Sequence, residues 1–504
     1  MTNISSWTDL KAMSDDLSED YVLTTDLSTT DSDYSSAGGD DWTPIGNLSN
    51  FFTGSFDGGN HTISGLTIAT LGTALGLFGV VTGGTIKDLI LKDATIDVSD
   101  VGVGGGIYGG ILAGYANCDI TNVHVTGTSS ITLNVAATSI FGGLLGQYST
   151  KTTYGPNTTV TLTNSSADVD IHVEDATGTV YCGGMAGRFL ALNTTATTIN
   201  ITKCYAKGDI LIEDVNGASY TVYAGGFTSY LQPYAAGGTI NVSQCYATGN
   251  ITVQNSITRG LGLGGFSGNA YSYQYGGTSS ILDIVNCYSS GDVTVDNITP
   301  NYVCAYGGFI GFNQLWQRTG TATFNMEYCY ATGNVITKNM PPMPVQGVRR
   351  GGFLGHIRDY VGTMTMNDCW CSGDCDYDTV GTIRQTGKFI GYAERFQTFT
   401  DCGVWTGSEP SYDIERPEAN LTASQGSANR TADKTDFYDI TFGDLYDNWD
   451  IVKKANHDGV ESTAIWYIDD TVDYPHLWYE YMKINSMGVS KMNGVLVSML
   501  NGVA

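Results

Sequence analysis

The phrase Lys203-Cys204-Tyr205-Ala206-Lys207-Gly208-Asp209-Ile210 decides the fold, because versions of it return along the chain at a nearly constant interval. Close copies begin at Cys245, Cys287 and Cys329, and an altered copy begins at Cys369. These starts lie 41, 42, 42 and 40 residues apart. A fixed period near 40, built from short β-type runs and glycine turns, indicates stacked structural repeats.

A second repeated phrase, Gly-Gly-Phe, alternates with the first one. It occurs at Gly225-Gly226-Phe227, Gly264-Gly265-Phe266, Gly307-Gly308-Phe309 and Gly351-Gly352-Phe353. Within each repeat, the Cys, the residue two places later and the β-branched residues six and eight places later share one strand face. We therefore predict that these side chains point inward and that the aromatic residue directly after each Cys points outward.

The fifth residue after each Cys or its equivalent is always Asn or Asp. We expect these side chains to form a ladder in which each one satisfies backbone donors of the neighbouring coil. All but the first follow a glycine, and Gly-Asx pairs tolerate positive φ. The six residues are Asp170, Asp209, Asn250, Asp292, Asn334 and Asp374.

The segment from Phe51 to Leu66, Phe-Phe-Thr-Gly-Ser-Phe-Asp-Gly-Gly-Asn-His-Thr-Ile-Ser-Gly-Leu, resembles the first strands of bacterial and viral surface proteins that carry the GLUG motif. The Gly-Gly-Phe-x-Gly and Cys-Tyr-Ala-Thr-Gly-Asn phrases resemble the repeat of that family. The resemblance covers about residues 5–480. It implies an all-β fold, a right-handed parallel β-helix of ~40-residue repeats with a short N-terminal capping helix and a C-terminal cap.

We expect four regions along the chain. Residues 1–60 form the N-terminal cap and first strands, with a helix capped by Ser5 or Ser6. Residues 61–402 carry the repeats, 403–482 form a β cap, and 483–504 form a tail. Each repeat is expected to make either two coils of about 20 residues or one coil with a protruding hairpin.

The composition excludes several classes of function. The net charge is −27, with only 23 Lys and Arg, so the chain repels nucleic acid and anionic membranes. Neither a secretory signal nor an apolar run of membrane-spanning length is visible. The eleven cysteines mostly share one repeat register, so we predict reduced, inward-facing thiols and synthesis in a cytoplasm.

No catalytic, cofactor or metal site is predicted. Adjacent acids occur at Asp40-Asp41, Glu174-Asp175, Glu213-Asp214 and Asp469-Asp470, but they change identity between repeats, as solvated turn residues do. None of the six histidines has the spacing of metal ligands. We therefore predict that the protein is not an enzyme and needs no cofactor.

Aromatic residues after each Gly-Gly-Phe are the candidate binding residues. Stacked repeats would align them in one stripe, and aromatic faces stack on sugar rings. The alternative is that these tyrosines only cover their own strands. The candidates for binding glycan or a partner are Tyr230, Tyr234, Tyr271, Tyr273, Tyr275, Trp316 and Tyr360.

The tail repeats Asn-Ser or Asn-Gly every eight residues between apolar residues, which predicts docking to another chain. It resembles the ends of some tailed-phage structural proteins. Partners would be other virion or surface-structure proteins, or copies of this chain, with a trimer favoured. The tail residues proposed for assembly are Asn485, Asn493, Gly494, Asn501 and Gly502.

Together these features predict a non-enzymatic structural or adhesive protein displayed on a virion surface after cytoplasmic assembly. It would serve as a fibre, spike or capsid appendage that contacts host glycan or protein, without membrane insertion. Two alternatives stay open. A β-helix enzyme that degrades polysaccharide would need convergent carboxylates in a cleft, and a cell-surface adhesin would need an export route.

Overall fold

The computed structural model describes most of the chain up to residue 404 and short strands beyond it. The described residues are 1–100, 106–135, 137–151, 155–192, 195–234, 237–274, 279–317, 321–341, 347–359, 362–367, 369–373, 375–377, 384–387, 389–393, 398–400, 402–404, 423–424, 451–453, 466–468, 476–477, 491–492 and 495–496.

The chain divides into two compact units. The first comprises residues 1–404 with 410–427, and the second comprises 405–409 with 428–504. The predicted N-terminal cap and the repeats therefore belong to one unit. The described residues of the second unit form a three-stranded sheet and a separate antiparallel pair.

Each ~40-residue repeat forms one coil of a parallel β-helix. Tyr205 pairs with Tyr246, Tyr246 with Tyr288 and Tyr288 with Tyr330, so each strand bonds to its equivalent one repeat later. The expectation of two coils per repeat is wrong, because the partner of a strand lies a full repeat away. The other alternative, one coil per repeat, is confirmed. The strands expected to protrude as a hairpin, such as Thr228–Tyr234 and Gly238–Ser243, instead pair in parallel with neighbouring coils.

Sheet I contains 27 strands and consists of a shared start and three parallel ladders. The shared start is Thr2–Ile4, Tyr21–Leu23, Phe56–Ser64, Phe78–Lys92 and Ala113–Thr126. Ladder 1 is Leu145–Ser149, Ala186–Leu192, Thr228–Tyr234, Ser267–Gln274, Ile310–Gln317, Leu354–Asp359 and Ile390–Ala393. Ladder 2 is Thr159–Thr163, Thr197–Thr202, Gly238–Ser243, Ser279–Val285, Thr321–Glu327, Thr363–Asn367, Thr398–Thr400 and Ala423–Ser424. Ladder 3 is Ser166–Ala167, Tyr205–Ala206, Tyr246–Ala247, Tyr288–Ser289, Tyr330–Ala331, Trp370–Cys371 and Gly403–Val404.

Two further sheets complete each coil. Sheet II is Thr67–Ile68, Thr95–Asp100, Ser130–Val135, Asp170–Glu174, Ile210–Glu213, Ile251–Gln254, Val293–Asp296, Val335–Lys338 and Cys375–Tyr377. Sheet III is Ala74–Leu75, Gly106–Gly109, Thr138–Gly142, Val180–Gly183, Asn216–Gly225, Ile257–Gly264, Thr299–Pro300, Cys304–Gly307, Val348–Gly351 and Arg384–Gly387. The remaining strands lie in the second unit: Ile451–Lys453, Trp466–Ile468, His476–Leu477, Lys491–Met492 and Val495–Leu496.

A short helix covers the start of the stack, as predicted. The α-helix Trp7–Ala12 begins after Ser6, whose Oγ accepts from the Asp9 N–H at 3.1 Å. Trp7 and Leu10 are fully buried in the main core. A 3₁₀ helix, Met13–Asp15, continues it, and a second short α-helix covers Tyr34–Ala37.

The core is built from columns of identical side chains. One column stacks the rings of the four Gly-Gly-Phe residues and of Phe389, with successive centroids 4.8, 4.8, 4.9 and 5.1 Å apart. Another column holds the repeat cysteines, whose thiols donate to the carbonyl two residues earlier at 3.2–3.3 Å. The prediction of reduced, inward-facing thiols is confirmed: none of the eleven cysteines forms a disulfide, and nine are buried. The cysteine column consists of Cys204, Cys245, Cys287, Cys329 and Cys369.

Burial also makes the thiols of Cys204, Cys245 and Cys304 poor nucleophiles. It raises the pKa of the Cys304 thiol to about 12 and holds the pKa values of Cys204 and Cys245 well above that of an ordinary thiol. Little thiolate exists at neutral pH under these conditions, so these cysteines serve packing.

The prediction that the aromatic residue after each Cys points outward into solvent is wrong for most repeats. Tyr246, Tyr288 and Tyr330 are fully buried, whereas Tyr205, at the start of the column, is half-buried. Their rings stack with centroids 4.8–5.0 Å apart. Identical rings in register cover one another's faces, which strand alternation alone does not reveal.

The Asx ladder is confirmed for its described members. The Asp170 side chain accepts from the Asp209 N–H at 2.9 Å, and Asp209 accepts from the Asn250 N–H at 2.7 Å. In the same way, the Asn250 side chain accepts from the Asp292 N–H at 3.0 Å, and the Asp292 side chain accepts from the Asn334 N–H at 2.7 Å. Asp374 lies outside the described residues.

The glycines before this ladder are needed for a different reason than predicted. Gly208, Gly249 and Gly291 do not adopt positive φ. Instead, a Cβ at Gly249 would overlap the carbonyl oxygen of Gly208. A Cβ at Gly291 would likewise overlap the carbonyl oxygen of Gly249. Positive φ occurs at another corner, directly after five successive sheet II strands, at Asp175, Asp214, Asn255, Asn297 and Asn339.

We predict that Gly249→Ala destabilises the protein by about 3 kcal/mol, because the added methyl group forces two coils apart. Gly106→Ala is the matched control, since its Cβ would find its nearest atom, the Tyr108 hydroxyl, at 3.7 Å. Chemical denaturation followed by circular dichroism measures both. Equal midpoints for the two variants would contradict this reading of the glycine column.

Candidate functional site

The aromatic patch lies on the outer side of ladder 1 and comprises Tyr234, Tyr271, Tyr273 and Trp316. Tyr234, Tyr273 and Trp316 occupy equivalent positions on three successive coils. The rings of Tyr234 and Tyr273 stack at 4.9 Å, and Trp316 meets Tyr273 edge-on at 5.8 Å. Trp316 is 41% exposed. The structure therefore brings these predicted residues together.

Tyr271 extends the patch along its strand toward the body. Its ring lies 5.7 Å from that of Tyr273 and 6.1 Å from that of Tyr230. Gln314 pairs with Tyr271 in register on the next coil and is half-buried. Gln232, on the preceding coil, is also half-buried. The aromatic faces are thus flanked by amide groups that can donate and accept hydrogen bonds.

Tyr230 is a correction to the predicted binding set, because it is only 8% exposed. It packs edge-on against Tyr181 at 5.8 Å and Tyr223 at 5.3 Å in the corner between ladder 1 and sheet III. The Arg188 guanidinium lies over Tyr181 at 4.6 Å and over Tyr230 at 5.3 Å. Tyr230 therefore supports the patch from below and does not present its face to a ligand.

Tyr181 and Tyr223 were missed by the sequence reasoning. They precede a Gly-Gly pair, and they meet ladder 1 only because the chain turns sharply there. The available signal was the shared pattern Tyr-x-Gly-Gly at 181–184 and 223–226. Tyr275 and Tyr360, also predicted for binding, lie outside the described residues.

A groove of about 430 Å³ lies on the outer face of sheet II, and apolar residues such as Ile171 and Leu211 line it together with polar ones. Four successive coils contribute hydroxyl, carboxylate, amide and imidazole groups to it. Its lining includes Ser130, Thr132, Asp170, His172, Asp209, Asn250 and Thr252.

Beside this groove, His172, Glu174 and Glu213 form a compact cluster. One ligand atom from each lies within 4.8 Å of the others. The His172 Nε2 is 2.8 Å from Oε1 of Glu213, and Gln254 Nε2 donates to Oε2 of Glu213 at 2.7 Å. Hydrogen bonds from Gln254 and His172 lower the pKa of the Glu213 carboxyl. Sequence spacing did not reveal this cluster, because its members come from two coils.

In each described pair of adjacent acids, the second residue lies outside the strands. Asp175 and Asp214 take left-handed conformations, with φ of 51° and 54°, at the end of their strands. Asp41 accepts hydrogen bonds from the backbone and side chain of Thr70. These roles are structural. Asp469-Asp470 lies outside the described residues.

The predicted assembly residues Asn485, Asn493, Gly494, Asn501 and Gly502 also lie outside the described residues. In the tail, Lys491–Met492 and Val495–Leu496 pair as antiparallel strands on either side of residues 493 and 494 in the sequence. Among the described residues, no helix is long and apolar enough to cross a membrane.

Comparison with known proteins gives one partial likeness. Residues of this chain are 36% identical over 149 residues to halomucin from Haloquadratum walsbyi. The aligned part is 28% of this chain and 2% of halomucin, so the chain spans a small fraction of the length of this relative. No family model matches the chain, and no solved structure matches it.

Proposed function

We propose that this protein is a non-enzymatic structural and adhesive module displayed at a surface, which binds neutral carbohydrate through the aromatic patch. One observation carries the proposal: Tyr234, Tyr273 and Trp316 lie side by side on three successive coils. A rigid row of aromatic rings suits a polymer whose rings also repeat.

The chemistry of the patch supports sugar as the ligand. Pyranose rings present C–H groups that pack on aromatic faces, and their hydroxyls bond to amides such as Gln314. The rows are preorganised by backbone pairing, so binding costs little side-chain ordering. The net charge of −27 opposes acidic glycans, so neutral ones are favoured.

The polysaccharide-degrading alternative has one specific observation in its favour, the groove with Asp170 and Asp209. Glycoside hydrolysis needs two carboxylates free to act as acid and as base or nucleophile. Here each carboxylate accepts a backbone N–H of the next coil. This bonding lets the two residues hold coils together and argues for the non-enzymatic proposal.

We place the module on a virion, as a fibre, spike or capsid appendage that meets host glycan or protein. The GLUG-like repeats and the phage-like tail support this setting. A cell-surface adhesin remains the alternative, and the partial likeness to a protein named as a mucin is compatible with either surface. The tail would join the module to particle proteins or to copies of itself, with a trimer favoured.

We predict that Tyr273→Ala combined with Trp316→Ala weakens binding to neutral glycans by about tenfold or more, because two aromatic anchors are lost. An array of neutral and acidic glycans identifies the ligand, and titration of the best neutral glycan gives the affinity. Tyr273→Phe should retain binding, since it keeps the ring.

The control for this experiment is Tyr302→Ala. Tyr302 is 37% exposed and packs against Arg259 at 5.5 Å, on a turn of sheet III. Its loss should leave glycan affinity unchanged. If the double variant binds as the wild type does, with an unchanged melting temperature, the patch serves packing alone.

A second prediction concerns assembly. Deleting residues 483–504 should leave a folded β-helix that runs as a monomer, because the apolar tail pairs with other chains. Light scattering coupled to size-exclusion chromatography measures the mass, and circular dichroism measures the fold. Unfolding of the truncated chain would assign the tail to the core, and an unchanged oligomer would place the contact elsewhere.

A further inference from the structure

We propose that His172, Glu174 and Glu213 form a binding site for a divalent transition-metal ion, with Zn²⁺ as the probe ion. The site lies on the outer face of sheet II, where His172 also lines the groove. It is separate from the aromatic patch on ladder 1, and it does not depend on the proposed carbohydrate binding.

Strand geometry places the three ligands on one face. His172 and Glu174 are two residues apart on strand Asp170–Glu174, so their side chains leave the same side. Glu213 pairs in register with Glu174 on the next coil. The ligand atoms lie within 4.8 Å of one another, and ligands of a tetrahedral Zn²⁺ ion lie roughly 3.4 Å apart. Small side-chain rotations are enough to close this difference.

The donor set selects the kind of ion. One imidazole nitrogen with two carboxylates suits Zn²⁺ and similar ions, whereas Mg²⁺ and Ca²⁺ prefer oxygen ligands alone. Three protein ligands fill three of the four positions that Zn²⁺ prefers. A fourth position is left for water or for a group from a bound molecule.

A neighbouring residue already orients one ligand. Gln254 holds Oε2 of Glu213 at 2.7 Å, while Oε1 faces His172. Such outer contacts fix ligand orientation and raise metal affinity. Both residues of the His172–Glu213 pair are partly accessible, with side-chain exposures of 34% and 21%, so an ion can reach them from solvent.

The site spans two adjacent coils of the stack, those of strands Asp170–Glu174 and Ile210–Glu213. The positions equivalent to His172 and Glu174 hold Thr132 and Asn134 one coil earlier, and Thr252 and Gln254 two coils later. Within the described part of the chain, His172, Glu174 and Glu213 are the His, Cys, Asp or Glu side chains that lie close enough together to bind one metal ion. The three candidate ligands are therefore a departure from the residue types at equivalent positions of nearby coils.

The test is isothermal titration of tag-free, chelator-treated full-length protein with Zn²⁺. We expect one ion per chain, binding at least about tenfold weaker in His172→Ala and in Glu213→Gln, and a loss of about 10–100-fold in Gln254→Ala. Co²⁺ substitution gives a second readout, because the absorption spectrum of the ion reports nitrogen and oxygen ligation.

The matched control is His61→Ala, which removes a histidine that also contacts a carboxylate, Asp26, at 3.0 Å. This variant should bind Zn²⁺ as the wild type does. Circular dichroism confirms that each variant is folded. The proposal is overturned if the wild type binds no Zn²⁺, if His172→Ala keeps full affinity because cysteines hold the ion, or if His61→Ala loses it equally.

Discussion

Parallel backbone pairing between equivalent residues of successive coils is the constraint on which the rest of the structure depends. Each coil rises about 4.8 Å from the one before it, so equivalent residues stack at that spacing. Each repeat therefore places at these positions side chains that can interact with the equivalent residue of the next coil at this distance. Phenylalanine and tyrosine rings stack at 4.8–5.1 Å, Asx side chains reach the next backbone N–H, and glycine is required where two backbones touch.

The proposed binding surfaces lie where the repetition changes on the outside of the coil. Outer positions do not pack in the core, so neighbouring coils can carry Tyr273 and Trp316 in one place and His172 and Glu213 in another. The backbone register then brings residues that are about 40 positions apart into contact. A solenoid can in this way hold the proposed carbohydrate surface and the proposed metal site on different faces without altering its core.

Much of the architecture could be predicted from the sequence, because its signals are periodic. The cysteine phrase identified the repeat, the inward thiols and the Asx ladder, and Ser6 with Trp7 and Leu10 identified the capping helix. The number of coils per repeat could not be predicted. A period of about 40 residues fits one large coil or two small ones, and only strand pairing distinguishes them. The expected outward exposure of Tyr246 and Tyr230 failed for a related reason, since neighbouring coils and corners bury outward-facing rings.

The central claim is that one repeat makes one coil, and an engineered disulfide tests it most directly. Thr252 and Thr294 are register partners on the outer face of sheet II. In a protein carrying Thr252→Cys and Thr294→Cys, mild oxidation should join the two thiols, because Cα atoms of adjacent parallel strands lie within bonding range. With two coils per repeat these residues would be about 9.6 Å apart, too far for a disulfide. Mass spectrometry that finds the 252–294 cross-link supports the account; its absence, with a cross-link instead in the Thr252→Cys, Tyr273→Cys protein, would contradict it.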